Sequence, residues 1–512
     1  MQQGINNGGE DLGQKDGRIK KNVISGFLYQ IILITLGFIL PRLYLENFGS
    51  EVNGVLSTIK QIFTYMCLLE AGVGLASTQA LYKPIAEKDY KGASSILAAT
   101  SSYYFKTGII YTAIVLVIAC VYSFVIPTSI NSFVLFTVII LNALPALFSY
   151  FVQAKYRVLM EVDGRKYVIT NSEIVLQIAS NVGKILVLLL TDSLVLIQLV
   201  YCVIALVQLA YLYFYAKKRY TWLNFKEKPD FKAIAQKDSV LVHQISGMVF
   251  NNTDVLLLSA MCDFKVVSVY TIYNMFFSQM QAFITSIVSG FSFALGQMFQ
   301  VDREKFNRVY SAYETLYIMA TFIIYTLMAT FLLPLIQIYT DGINDANYTN
   351  ALLIFLFVVM NLLSNGKLPS NYVLEFSGKF KETRSHAIIE MAINLVVSVF
   401  AILKWGICGA IFGTIMALLF RGPMMIYYAN KKVLEKSVFS TYKHWLINGG
   451  VFAFVMIILS VDSFSGLSFF KLLINGVIHS IWIVALYIGV NFIFNRQAFK
   501  TIIEYFRGKK RS

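Results

Sequence analysis

The chain has 512 residues, 57% of them hydrophobic and only 14% charged, with a net charge of +15. That composition lies outside the range of ordinary globular proteins. Five Cys without CxxC spacing and four dispersed His argue against a metalloenzyme or a disulfide framework.

Residues 1–21 are polar and Gly-rich, with no small-residue cleavage site after the apolar run that follows. They read as a disordered cytoplasmic tail, not a signal peptide. A bilayer core takes about 20 apolar residues per helix. Stretches of that order recur at 22–45, 52–81, 101–126, 130–153, 169–190, 194–216, 239–260, 266–299, 310–340, 349–374, 386–403, 407–428, 445–462 and 468–494. This predicts an all-α polytopic membrane protein of about 14 helices. The largest gap, 217–238, holds a Pro and a run of charge and reads as a cytoplasmic linker. It separates an N-terminal six-helix bundle (22–216) from a C-terminal one (239–428). A cytoplasmic loop and two extra helices follow (429–494), then a basic cytoplasmic tail (495–512). Ile24-Ser25-Gly26 and Ile245-Ser246-Gly247 give a faint internal echo of two parallel repeats.

Basic residues gather in the N-terminal tail and in every second loop. Those loops carry Lys83, Lys88 and Lys91; Lys155, Arg157, Arg165 and Lys166; and Lys217 to Lys237. Further along come Arg303 to Arg308, Lys379 to Arg384, and Lys431 to Lys443. The intervening loops are short and hold few cations. This positive-inside pattern predicts that both termini are cytoplasmic. It assigns the excess charge to anionic lipid headgroups rather than to nucleic acid.

A charge inside a span costs roughly 3 kcal/mol on insertion scales and normally faces protein or a wet cavity. Arg42, Lys60 and Lys184 fall in the outer half of the first bundle. Lys60 lies ~12 Å into its helix at 1.5 Å per residue. Together they predict a water-filled cationic cavity for an anionic headgroup such as a phosphate or pyrophosphate. Arg42 has two other options: pairing with Glu46 at i,i+4, or reaching the membrane surface. Asp254, in the run Asn251-Asn252-Thr253-Asp254, is a candidate for Na+ or H+ coupling, or else a hydrogen-bonded strut for its Asn neighbours. Glu70, Asn252 and Lys367 complete the candidate polar lining. Lys367, beside Pro369, reads as a snorkelling lysine. Glu70, Glu173 and Glu390 also suit a role as ion-pair partners. There is no GxxxxGK[ST] for ATP and no Asp-rich loop pair, so no catalytic constellation is expected.

Four segments occur in order: Pro41-Arg42 with Phe48 to Gly54; Leu69 to Asp89; Asn251 to Ser259 with Val267 to Met275; and Gly378 to Asn394 leading into Gly406 to Thr414. In these the chain resembles the Wzx-type polysaccharide flippases of the multidrug/oligosaccharidyl-lipid/polysaccharide (MOP) exporter superfamily. The resemblance implies two MATE-like six-helix bundles around a central cavity, here with two added helices. It implies flipping of an undecaprenyl-pyrophosphate-linked oligosaccharide across the bacterial cytoplasmic membrane by alternating access, for capsule, exopolysaccharide or O-antigen synthesis. Polymerases and glycosyltransferases of the same pathway are the implied partners. The alternatives are a lipid II or teichoic-acid flippase, a multidrug cation antiporter, or a membrane-embedded polymerase or acyltransferase. A drug-cation antiporter would favour acids in its cavity. A polymerase would show a large outer loop, and an acyltransferase a membrane-embedded His, for which His479 is the candidate.

Overall fold

The computed structural model describes residues 37–234, 237–377, 380–459, 464 and 466–509, and every regular element among them is helical. The expected tail 1–21 and the start of the first span lie outside the described residues. Ten described helices are long and apolar enough to cross a membrane, which makes this a multi-pass membrane protein. The chain divides into two compact units, Met1–Met248 and Val249–Ser512.

Unit 1 begins with α1, helical over 37–66 but turned at Gly49, whose φ of +77° is the left-handed conformation that ends many helices. That turn separates the first two expected spans. Helix α2 (Leu68–Ala86) continues the second span after an interruption at Cys67. Then come α3 (Tyr90–Phe124), α4 (Ser132–Phe148), α5 (Ala154–Val162), α6 (Lys166–Leu190) and α7 (Leu194–Arg219). Asp89, Asn131 and Ser193 cap α3, α4 and α7 with side-chain oxygens, which explains where these helices start. A single π turn, Ser149–Gln153, joins α4 to α5 just after Pro145.

The stretch read as a linker is anchored to unit 1 over much of its length. The Asn224 backbone N–H donates to Ser94 Oγ at 3.2 Å, and that of Asp230 donates to the Ser95 carbonyl at 3.1 Å. Trp222, Leu223 and Phe225 pack on the unit 1 core, and Ile234 is buried in it. Lys155 sits 4.5 Å from the centre of the Phe225 ring. Tyr220 donates to Asp163, which also holds Arg165 at 2.6 Å. Burial raises the Tyr220 hydroxyl well above an ordinary tyrosine, and the Asp163 carboxylate adds to that shift.

Unit 2 holds α8 (Lys237–Met261), which begins within unit 1, then α9 (Phe264–Val301), α10 (Arg303–Tyr339), α11 (Ala351–Gly366) and α12 (Leu368–Phe376). It continues with α13 (Phe380–Trp405), α14 (Ile407–Tyr427), α15 (Phe439–Leu459), α16 (Phe469–Phe494) and α17 (Arg496–Lys509). At 1.5 Å per residue the 38 residues of α9 reach ~57 Å, beyond a hydrocarbon core of about 30 Å, so this helix projects past the membrane or tilts strongly. The expected tenth span, 349–374, is broken at Lys367, where Pro369 opens α12. A second π turn, Tyr428–Val433, follows Pro423 in α14. The basic tail is helical over Arg496–Lys509.

Helices α13 and α14 approach closely through small residues. A Cβ at Gly413 would lie 2.6 Å from the Ser398 backbone nitrogen, and one at Gly409 would strike the Ala401 backbone. Membrane helices lack a hydrophobic drive to associate and use such close contacts instead. The closeness also sets Thr414 of α14 against Asn394 of α13.

Candidate functional site

In α1 the polar residues Asn53, Ser57, Lys60 and Thr64 recur at helical spacing on one face, while the buried Val52, Val55 and Ile59 lie on another. Lys60 is crowded by protein yet keeps an exposed side chain. In α6 the residues Val175, Ile178, Val182, Leu186 and Leu189 form an exposed apolar stripe suited to lipid. Lys184 falls roughly opposite Val182 and Leu186 on the helix, on the face carrying Gln177, Ser180 and Asn181.

These two faces bring the Lys60 and Lys184 ammonium groups near enough for their like charges to repel. Lys184 Nζ also stands 4.7 Å from the ring centre of Tyr201, on α7, a favourable cation–π distance. Among the described residues neither lysine has an acidic partner. Arg42 differs: its Nε is 2.7 Å from Glu46 Oε1, the i,i+4 pairing that its spacing allows. The Glu70 side chain lies outside the described residues. Glu173 pairs with Arg157 at 2.7 Å.

In unit 2, Asp254 is buried where α8, α9, α13 and α14 meet. Tyr270 Oη donates to its Oδ2 at 3.0 Å, and Thr414 Oγ1 at 3.2 Å. Asn394 Nδ2 donates to Thr414 Oγ1 at 2.8 Å. Asp254 thus has hydroxyl partners and, among the described residues, no cation. Asn252 is half-buried on the same helix; the Asn251 side chain lies outside the described residues.

Lys367 does not snorkel. It sits at the break between α11 and α12, with Nζ 2.6 Å from Glu390 Oε1 and 5.0 Å from the Phe250 ring centre. Arg421, on α14, approaches the other Glu390 oxygen at 3.5 Å and donates to the Thr383 carbonyl at 3.1 Å. The proline beside Lys367 suggested a helix end near the surface, but the chain continues as α12 and keeps the lysine inside. Sequence reasoning missed Arg421, although an arginine between Phe420 and Gly422 in an apolar span was itself the signal. It also missed Tyr201, because nothing separates one tyrosine from the other thirty in sequence.

The geometry defines a multi-pass helical protein. Among the described residues, unit 1 carries cations without acidic partners and unit 2 a hydroxyl-bound carboxylate. No protein-family profile and no curated protein matches the chain. Solved structures do match, and they share its fold. A lipid II flippase MurJ in an inward closed conformation aligns with a TM-score of 0.69 at 14% identity, covering 93% of this chain and 99% of its own. A multidrug resistance MATE family transporter of the MOP superfamily, in an inward-facing conformation, aligns at 0.60 and 12% identity, covering 81% and 99%. A MOP superfamily transporter from Pyrococcus furiosus aligns at 0.58 and 13% identity, covering 83% and 97%. Its binding pocket is reported to have reversed polarity, suggesting a different function. The chain therefore has the fold of MurJ and the MATE transporters.

Proposed function

We propose that the protein flips an undecaprenyl-pyrophosphate-linked oligosaccharide repeat unit across the bacterial cytoplasmic membrane by alternating access, supplying surface polysaccharide synthesis. The observation that carries this reading is the Lys60–Lys184 pair. Two like charges that feel each other without an acid partner are costly inside a membrane protein. A phosphate or pyrophosphate bridging them would relieve that repulsion and gain charge-assisted hydrogen bonds. The same pair weighs against a drug-cation antiporter. The MurJ-like fold adds support, because the solved flippase is named for a lipid-linked substrate.

Removing the protein from its host and sizing the lipid-linked sugars on each membrane face tests this reading. The expected result is accumulation of an undecaprenyl-linked oligosaccharide on the cytoplasmic face, reversed by the wild-type chain. An unchanged lipid pool would overturn it, and accumulation of lipid II or a teichoic-acid precursor would reassign the substrate.

Asp254 is the proposed coupling site for Na+ or H+, since a buried carboxylate held by hydroxyls can take up a cation. Asp254→Asn is expected to abolish dependence of transport on the ion gradient. Gradient dependence equal to wild type in that variant would remove Asp254 from this role.

A further inference from the structure

Unit 2 contains a second buried carboxylate, in a place that the flipping reading does not use. Glu314 lies in α10, 11 residues after its first residue, ~16 Å along the helix axis. It is only 3% exposed. Thr441 Oγ1, from α15, donates to its Oε1 at 2.8 Å, and Tyr310 Oη approaches the same oxygen at 3.5 Å. Asn430 Nδ2 donates in turn to Thr441 Oγ1 at 3.0 Å. Among the described residues no cation pairs with Glu314. Glu390, by contrast, lies between Lys367 and Arg421.

The surroundings of Glu314 are chemically sparse. From its own helix the titratable neighbours are Tyr310 and Tyr313. From α15 comes the buried His444, whose Nε2 meets Thr315 Oγ1 at 3.3 Å and whose Nδ1 has no hydrogen-bond partner among the described residues. The turn before α15 supplies Lys436, whose Nζ donates to the Asn307 carbonyl at 2.9 Å. Burial holds the Lys436 ammonium below an ordinary lysine, and the Glu314 carboxylate opposes that shift, so the two groups feel each other's charge. On α17, which packs on α10, Arg496, Lys500 and Glu504 are all exposed. From α11's side, Lys367 is committed to Glu390.

We propose that Glu314 is a proton-binding site, buried between α10 and α15, that exchanges its proton with water through the loop carrying Lys436. The bond formed is an O–H at a Glu314 carboxyl oxygen; the proton comes from solvent and returns to it. The hydroxyls of Thr441 and Tyr310 suit both states, because each can donate to the carboxylate or turn and accept from the acid. A carboxylate withdrawn from water without a cation in contact is stabilised by taking a proton. Residues Glu435 and Ser437, flanking Lys436, are exposed, so the loop side gives access to water. The site joins α10 to α15 and is separate from Asp254.

The test uses the full chain in lipid nanodiscs and infrared difference spectra between about pH 5 and about pH 8, a window that spans carboxyl and histidine titration. The expected result is a protonated-carboxyl band that is lost in Glu314→Gln and kept in Asp254→Asn. Thr441→Val leaves the carboxyl in place but removes a donor to its ionised form. That variant should move the midpoint of the band to higher pH by about one unit. The midpoint remains measurable even if Glu314→Gln does not fold. A Glu314→Gln spectrum identical to wild type, or a midpoint unmoved in Thr441→Val, would overturn the proposal.

Discussion

Lys60→Ala is expected to lower the rate of flipping by about 10- to 100-fold while leaving the amount of protein in the membrane unchanged. The magnitude follows from the loss of one hydrogen bond between charged groups, about 1.5–3 kcal/mol. Removing this lysine should not harm folding, because its side chain is exposed and no acid is left unpaired by its loss. Lys60→Arg should retain much of the rate, since a guanidinium also binds phosphate oxygens. Lys184→Ala should lose less than Lys60→Ala if Lys60 alone still holds the anion, and the double variant should fall short of the two effects multiplied. Initial flipping rates normalised to membrane abundance provide the measurement. A normal rate in Lys60→Ala would take Lys60 out of the site.

Glu390→Ala should act on stability rather than on transport. It leaves Lys367 and Arg421 side by side without their shared carboxylate, in side chains only 17% and 9% exposed. Breaking a buried ion pair from one side costs about 3–5 kcal/mol. The expected outcome is a marked fall in the thermal unfolding midpoint of the purified protein. Replacing all three residues by apolar ones of similar volume should cost much less, because no charge is then stranded. Equal losses in the single and triple variants would show that packing, not charge, holds this junction.

Most of the fold was legible in the sequence because hydropathy and alternating loop charge are long-range signals averaged over many residues. The spans at 169–190, 194–216 and 468–494 match α6, α7 and α16 at their starts or ends to within a few residues. What hydropathy does not register is a break inside an apolar run. Lys367 divides α11 from α12 inside the expected span 349–374, with little change in composition. Depth in the spans groups Arg42, Lys60 and Lys184 as one candidate cationic set, but does not say which of them take acidic partners. Lys60 and Lys184 are far apart along the chain, on α1 and α6, yet close enough for their like charges to repel. Arg42 and Glu46 were readable together because a helix turn relates them locally. Glu314 was overlooked because it falls near the start of its span, where a carboxylate reads as an end-of-helix charge, whereas α10 begins at Arg303, well before that point.

The two π turns have a consequence for how the chain tolerates change. Each inserts one residue beyond the regular helical count, a rotation of about 100° if spread along an α-helix. At Ser149–Gln153 and Tyr428–Val433 the surplus is absorbed within one wide turn, so the segments on either side keep their own phase. Deleting one residue inside either turn would convert it to ordinary helix with the flanking faces kept in phase. The same deletion one or two turns away would swing every later side chain of that helix off its partners. Each turn is thus a place where length varies without a change of register, and the prolines preceding them mark these places in the sequence.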